Sequence, residues 1–131
     1  MSQLLVVLYN DTDSEIHFRN TESPSDNKTV PKGGMFRTQN HFNIPDCSGK
    51  EHFSDHRMEI VNETGETVIF SFWGDDDKDY DLYCCPGLQY SEKVKMPGGA
   101  ATGGNKRDIG IVVSGSPGNY QIKGRPVQND V

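Results

Sequence analysis

Apolar residues in this chain fall in short runs, and many of those runs alternate with polar positions at a period of two, as in Glu15-Ile16-His17-Phe18 and Glu66-Thr67-Val68-Ile69-Phe70. That period puts successive side chains on opposite faces of a strand. A sustained 3.6-residue period is nearly absent, and the runs are separated by Asn, Asp, Gly and Pro. The pattern predicts strands over residues 4–10, 15–19, 35–42, 57–62, 67–73, 80–84, 90–95, 108–115 and 118–124. Asp11-Thr12-Asp13, Glu63-Thr64-Gly65 and Ser116-Pro117-Gly118 read as short connections between strands. Hairpins at this spacing predict one all-β domain over residues 1–131, an antiparallel β-sandwich of two sheets. Asn10-Asp11-Thr12-Asp13-Ser14-Glu15-Ile16 also echoes Asn62-Glu63-Thr64-Gly65-Glu66-Thr67-Val68. The echo suggests two similar hairpins facing each other across the sandwich.

Composition narrows the function. Leu, Ile, Val and Phe make up about a fifth of the 131 residues, close to the disordered range. Their clustering favours a small folded domain instead. The net charge of −6 argues against nucleic acid as a partner and gives no help with anionic lipid. No stretch approaches the roughly 20 apolar residues of a membrane span. The opening residues Met1 to Tyr9 lack a basic region and a cleavage site, and read as a strand rather than a signal peptide. The expected compartment is the cytoplasm, which is compatible with non-classical release. Cys47, Cys84 and Cys85 form no C-x-x-C pair, so thiols are expected rather than a zinc site. Sequons at Asn10, Asn27 and Asn62 then read as unmodified turn residues.

The chemistry concentrates after the run ending at Trp73. Asp75-Asp76-Asp77-Lys78-Asp79-Tyr80-Asp81 holds five carboxylates in seven residues, which must be solvated, paired or bound. Beside Trp73, Tyr80 and Tyr83 such a loop can hold a sugar by hydrogen bonds and stacking. In an extended segment Asp75, Asp77, Asp79 and Asp81 would share one face and suit calcium, although the central Gly and final Glu of an EF-hand are lacking. His52 and His56 are four apart but show no helical pattern, and read as surface histidines. Residues 97–105 are too Gly-rich for a strand and lack the Gly-Lys-[Ser/Thr] ending of a phosphate loop. No Gly-x-Ser-x-Gly elbow occurs, so no enzyme is expected.

The stretch Glu63-Thr64-Gly65-Glu66-Thr67-Val68-Ile69-Phe70-Ser71-Phe72 resembles the fungal fruit-body lectins, which share the actinoporin-like β-sandwich. Gly33-Gly34-Met35-Phe36 is similar to that family's Gly-Gly-Thr-Trp turn, and Ser48-Gly49 to its Ser-Gly sugar contact. Lys106-Arg107-Asp108-Ile109-Gly110-Ile111 and Ser116-Pro117-Gly118-Asn119-Tyr120 resemble its last hairpin. The chain departs from the family where its His-Asn pair and its Trp fall, at about Asp75-Asp76 and Tyr80. Pro45-Asp46-Cys47-Ser48-Gly49 resembles the aegerolysins more faintly.

The resemblance implies non-catalytic glycan binding by loops at one end of the sandwich. Trp73 and Tyr80 would offer ring faces, while Asp75, Asp76 and Asp81 would accept from hydroxyls. Arg107 would donate, and Ser48 and Gly49 would add a hydroxyl and a backbone N–H. A cytolysin-like protein meeting lipid headgroups is the second expectation, and an interaction module with a calcium-binding loop is the third. A homo-oligomer is compatible with each.

Overall fold

The structure is a computed structural model that describes residues 3–74, 81–98 and 108–127. Its strands are β1 (Gln3–Thr12), β2 (Ile16–Asn20), β3 (Asn27–Val30), β4 (Met35–Ile44), β5 (Met58–Val61), β6 (Val68–Gly74), β7 (Leu82–Pro86), β8 (Val94–Lys95), β9 (Asp108–Gly115) and β10 (Gln121–Gly124). They form a four-stranded sheet in the order β10-β9-β1-β4 and a six-stranded sheet in the order β3-β2-β5-β6-β7-β8. The fold is all-β with two packed sheets. One feature departs from the expected antiparallel design: β1 and β9 run parallel, from Leu4 opposite Asp108 to Thr12 opposite Gly115.

The core lies between the sheets. Leu5, Leu8, Ile109, Ile111 and Val113 of one sheet meet Phe18, Met58, Ile60 and Phe72 of the other, all fully buried. Leu5 and Leu8 are three apart yet both face this core. A bulge at Val6 resets the alternation, because the register slips between Leu5 and Val7 against both neighbours. Val7, Tyr9 and Val112 therefore bury the opposite face of the four-stranded sheet under Val127. Arg125 lies 3.9 Å over the Tyr9 ring there. Its carbonyl passes so near Gly110 that a Cβ at that position would sit 2.2 Å from the oxygen.

The link from β1 to β2 is not a hairpin, because the two strands belong to different sheets. The expected pair of facing hairpins is thus half right: residues 62–67 join the antiparallel pair β5 and β6, whereas residues 12–16 cross the sandwich. The echo survives in the hydrogen bonding. Asn10 Oδ1 accepts from the Thr12 N–H at 3.0 Å and the Thr12 hydroxyl at 2.6 Å. Asn62 Oδ1 accepts from the Thr64 hydroxyl and from the N–H groups of Glu66 and Thr67. Both asparagines use a side-chain carbonyl to stand in for backbone at a chain reversal. Asn10 goes further: its Nδ2 donates to the carbonyls of Ser14, Val30 and Pro31 while fully buried, so it serves as a staple rather than a turn residue on the surface.

Two short 3₁₀ helices, Lys50–Asp55 and Tyr90–Glu92, lie outside the strand pattern. The second occupies the start of the strand expected over residues 90–95, leaving only Val94–Lys95 extended. Strand β3 has no alternating apolar signal, since three of its four residues are exposed.

Candidate functional site

One end of the sandwich gathers several of the expected site residues. β4 ends there at Ile44, β6 at Gly74, and β7 and β9 begin there. Residues 45–47 cross to the six-stranded sheet and dock on the end of β6. Gly74 N–H donates to the Pro45 carbonyl at 2.8 Å, Cys47 N–H donates to the Gly74 carbonyl at 3.2 Å, and Asp46 bridges Gly74 in parallel. Exposed Ser48 and half-buried Gly49 follow directly. Asp81 precedes β7 and pairs with Lys95 Nζ at 3.3 Å, an exposed contact of modest strength. Asp75, Asp76, Asp77, Asp79, Tyr80 and Arg107 lie outside the described residues. Among the described residues no group of three His, Cys, Asp or Glu side chains is arranged to hold a metal ion.

Trp73 requires a correction. Its ring is 2% exposed, stacked on Tyr90 at 5.5 Å between centroids and set edge-on to Phe53 at 5.3 Å. It therefore presents no face to a sugar. The physical reason is the pair of 3₁₀ helices, which bring Phe53 and Tyr90 down onto the outer face of the six-stranded sheet. With Cys47 and Cys85 they bury Trp73 in a second, smaller apolar cluster.

The cysteines belong to this packing. Cys84 and Cys85 point to opposite faces of β7, and each is a buried free thiol. Burial pushes both up to about 11, with the neighbouring thiol adding to the effect on Cys84, so they stay protonated and poorly nucleophilic at neutral pH. The Cys47 thiol donates to the Gly49 carbonyl at 3.2 Å.

His52 and His56 sit on and just after the first 3₁₀ helix, with ring centroids 5.7 Å apart. His56 Nδ1 lies 2.8 Å from Asp55 Oδ1, and its Nε2 lies 3.3 Å from Glu22 Oε2. The hydrogen bond with Asp55 raises the His56 pKa above its ordinary value and lowers that of Asp55.

A site that the sequence did not signal lies beside this cluster. Glu59 is 3% exposed and is held by two arginines. Arg57 Nε and Nη2 both reach Glu59 Oε2, at 2.9 and 2.5 Å, and Arg19 Nε donates to Oε1 at 2.7 Å. Arg57 also covers the Phe53 ring at 4.7 Å and donates to the Phe53 carbonyl. Next to this clamp runs an open groove of about 670 Å³ on the outer face of β2, β3 and β5. His17, Arg19, Thr21, Pro24, Asn27, Val61, Glu63 and Thr64 are among its lining residues. His17 Nε2 lies 3.3 Å from the Glu63 carbonyl. Its Nδ1 shares a 2.7 Å hydrogen bond with the Thr29 hydroxyl. Arg19 and Glu59 are directly paired across β2 and β5, but nothing in the alternation marks Glu59 as buried.

Comparison of the chain with protein-family models, with curated proteins and with solved structures gave no match. Among the described residues no helix is long and apolar enough to cross a membrane.

Proposed function

We propose that the protein is a non-catalytic carbohydrate-binding protein on an actinoporin-like sandwich, taking its ligand with the loops at one end. The observation that carries this reading is the tie between residues 45–47 and Gly74. It sets the Ser48-Gly49 segment beside the strand that enters the acidic loop, while Asp81 stands where the chain leaves it. Fixed hydroxyl, amide and carboxylate groups close together are what a sugar site needs. Tyr80 supplies the ring face that Trp73 cannot, Asp75 and Asp76 accept from hydroxyls, and Arg107 donates. Calcium on Asp75, Asp77, Asp79 and Asp81 is part of the proposal. It would raise the Tm when added in millimolar amounts after chelation.

A broad glycan array tests the reading, with Ser48→Ala, Asp76→Ala and Arg107→Ala as probes. Each variant loses a partner for ligand hydroxyls, at a cost of about 1–3 kcal/mol of binding. Absence of any bound glycan, or undiminished binding by all three variants, would overturn it. Leakage from sphingomyelin vesicles without glycan binding would favour a lipid-binding protein instead.

A further inference from the structure

We propose that the groove over β2 and β3 is a binding site for an oxyanion, with Arg19 as its anchor and a small hydroxylated acid as its ligand class. This inference is independent of the loop end. Glu59 carries one negative charge and is contacted by two guanidinium groups. Arg57 is buried and donates to Glu59 Oε2 from Nε and Nη2 and to the Phe53 carbonyl from Nη1, so its charge is matched by that of Glu59. The charge of Arg19 is then in surplus. Glu59 fixes Arg19 through Nε alone, and its two Nη groups have no protein partner among the described residues. A half-exposed guanidinium held at one nitrogen, with its fork open, matches the paired oxygens of a carboxylate, sulfate or phosphate.

The groove gives the ligand a direction. Lys28 also lines the groove, but its pairing with buried Phe18 puts it out of step with Arg19 and Asn27, which face outward on the same strand pair. Arg19 is the lining cation that a neighbour holds in a fixed orientation, through Glu59 Oε1. The His17 end carries negative groups: Glu63 lines the groove, and Glu15 Oε1 lies 3.7 Å from His17 Nε2. The oxyanion belongs at the Arg19 end, and the uncharged part of the ligand extends toward His17 and Thr64. Asn27 sits directly opposite Arg19. It turns its Nδ2 to the Pro24 carbonyl at 2.8 Å, which leaves its amide oxygen to accept from a ligand hydroxyl. A volume of about 670 Å³ accommodates a molecule of one or two sugar rings.

The test is NMR titration of the ¹⁵N-labelled chain at constant ionic strength with glucuronate, sulfate, phosphate and, as the uncharged control, glucose. The expected result is saturable shifts at Arg19 Nε–H and the Asn27 side-chain amide with glucuronate, and weaker ones or none with glucose. Saturation by sulfate or phosphate alone would identify a free inorganic anion as the ligand and overturn the hydroxylated acid. Arg19→Lys keeps the charge but loses the fork, and weakens glucuronate about tenfold. Arg19→Gln abolishes binding, its fold being checked by the emission of Trp73; if it fails to fold, the lysine variant decides. Arg107→Ala leaves this titration unchanged, which separates it from the loop-end site. Shifts spread over surface lysines without saturation at Arg19, or equal glucuronate binding by wild type and Arg19→Lys, would overturn the proposal.

Discussion

The outer face of the six-stranded sheet has two halves built on the same backbone ladder, and they differ in what covers them. Over β6 and β7 the 3₁₀ helices lay Phe53 and Tyr90 on Trp73, and the indole is buried. Over β2 and β3 the outward residues are His17, Arg19, Asn27 and Thr29, and the face stays open as a groove. The seam is β5, where Glu59 binds a buried arginine on one side and a half-exposed one on the other. Pairing geometry therefore does not decide which part of a sheet becomes core. That depends on the size and polarity of the residues that loops bring to it, and a charge clamp lets the dry half end abruptly beside the wet one. A buried ion pair of this kind contributes little net stability but is costly to break.

The largest test of this contrast is truncation of the dry half. Trp73→Ala removes a ring enclosed by Phe53, Tyr90 and Cys85, and is expected to cost about 3–5 kcal/mol in urea unfolding. Thr29→Ala in the open half is expected to change stability by no more than about 0.5 kcal/mol. Similar losses at the two positions would erase the distinction. The seam comes next. Glu59→Gln leaves the buried Arg57 guanidinium without its counter-charge, at a cost of roughly 3 kcal/mol, the low end for a broken buried pair because Arg19 can turn to water. A loss of only a few tenths would mean that Arg57 is solvated rather than sealed.

How much of this was legible in the sequence follows the same division. The two-residue alternation located most strands, and Asp108–Gly115 matches its expected span, because a buried strand between two neighbours needs a continuous apolar run. The sequence missed β3, an edge strand with little to bury, and both 3₁₀ helices, which are too short to show a period. Those helices decide the fate of Trp73, so its role was misjudged along with them. The parallel pairing of β1 and β9 was equally hidden, since strand direction leaves no mark on local pattern. The Arg19–Glu59–Arg57 clamp joins residues up to 40 positions apart, and only the register of β2 against β5 reveals it. The tie of residues 45–47 to Gly74 leaves no periodic trace either, although Ser48-Gly49 could be singled out by resemblance.

The smallest expected effect sharpens the comparison at the point where the dry half touches the loop that closes the open one. His56 follows the first 3₁₀ helix, and Glu22 belongs to the loop between β2 and β3. The Asp55 hydrogen bond raises the His56 pKa in the folded state above its ordinary 6.5, against a smaller opposing effect of desolvation, and Glu22 adds to the rise. A raised folded pKa means that the protonated ring favours the folded chain. That contribution is complete below the unfolded value and is lost as pH rises through the folded one. Asp55 behaves in the opposite sense: its folded pKa is lowered, so its contribution holds above 3.8 and is lost as pH falls through the folded value. The contact is therefore strongest between the two ranges, in mildly acidic solution. His56→Ala should lower the Tm at about pH 5.5 and leave it nearly unchanged at about pH 8.5. Both groups are partly solvated, so the shift should not exceed roughly 2 °C. A difference that grows toward alkaline pH would show that the neutral ring, through packing against His52, holds this corner instead.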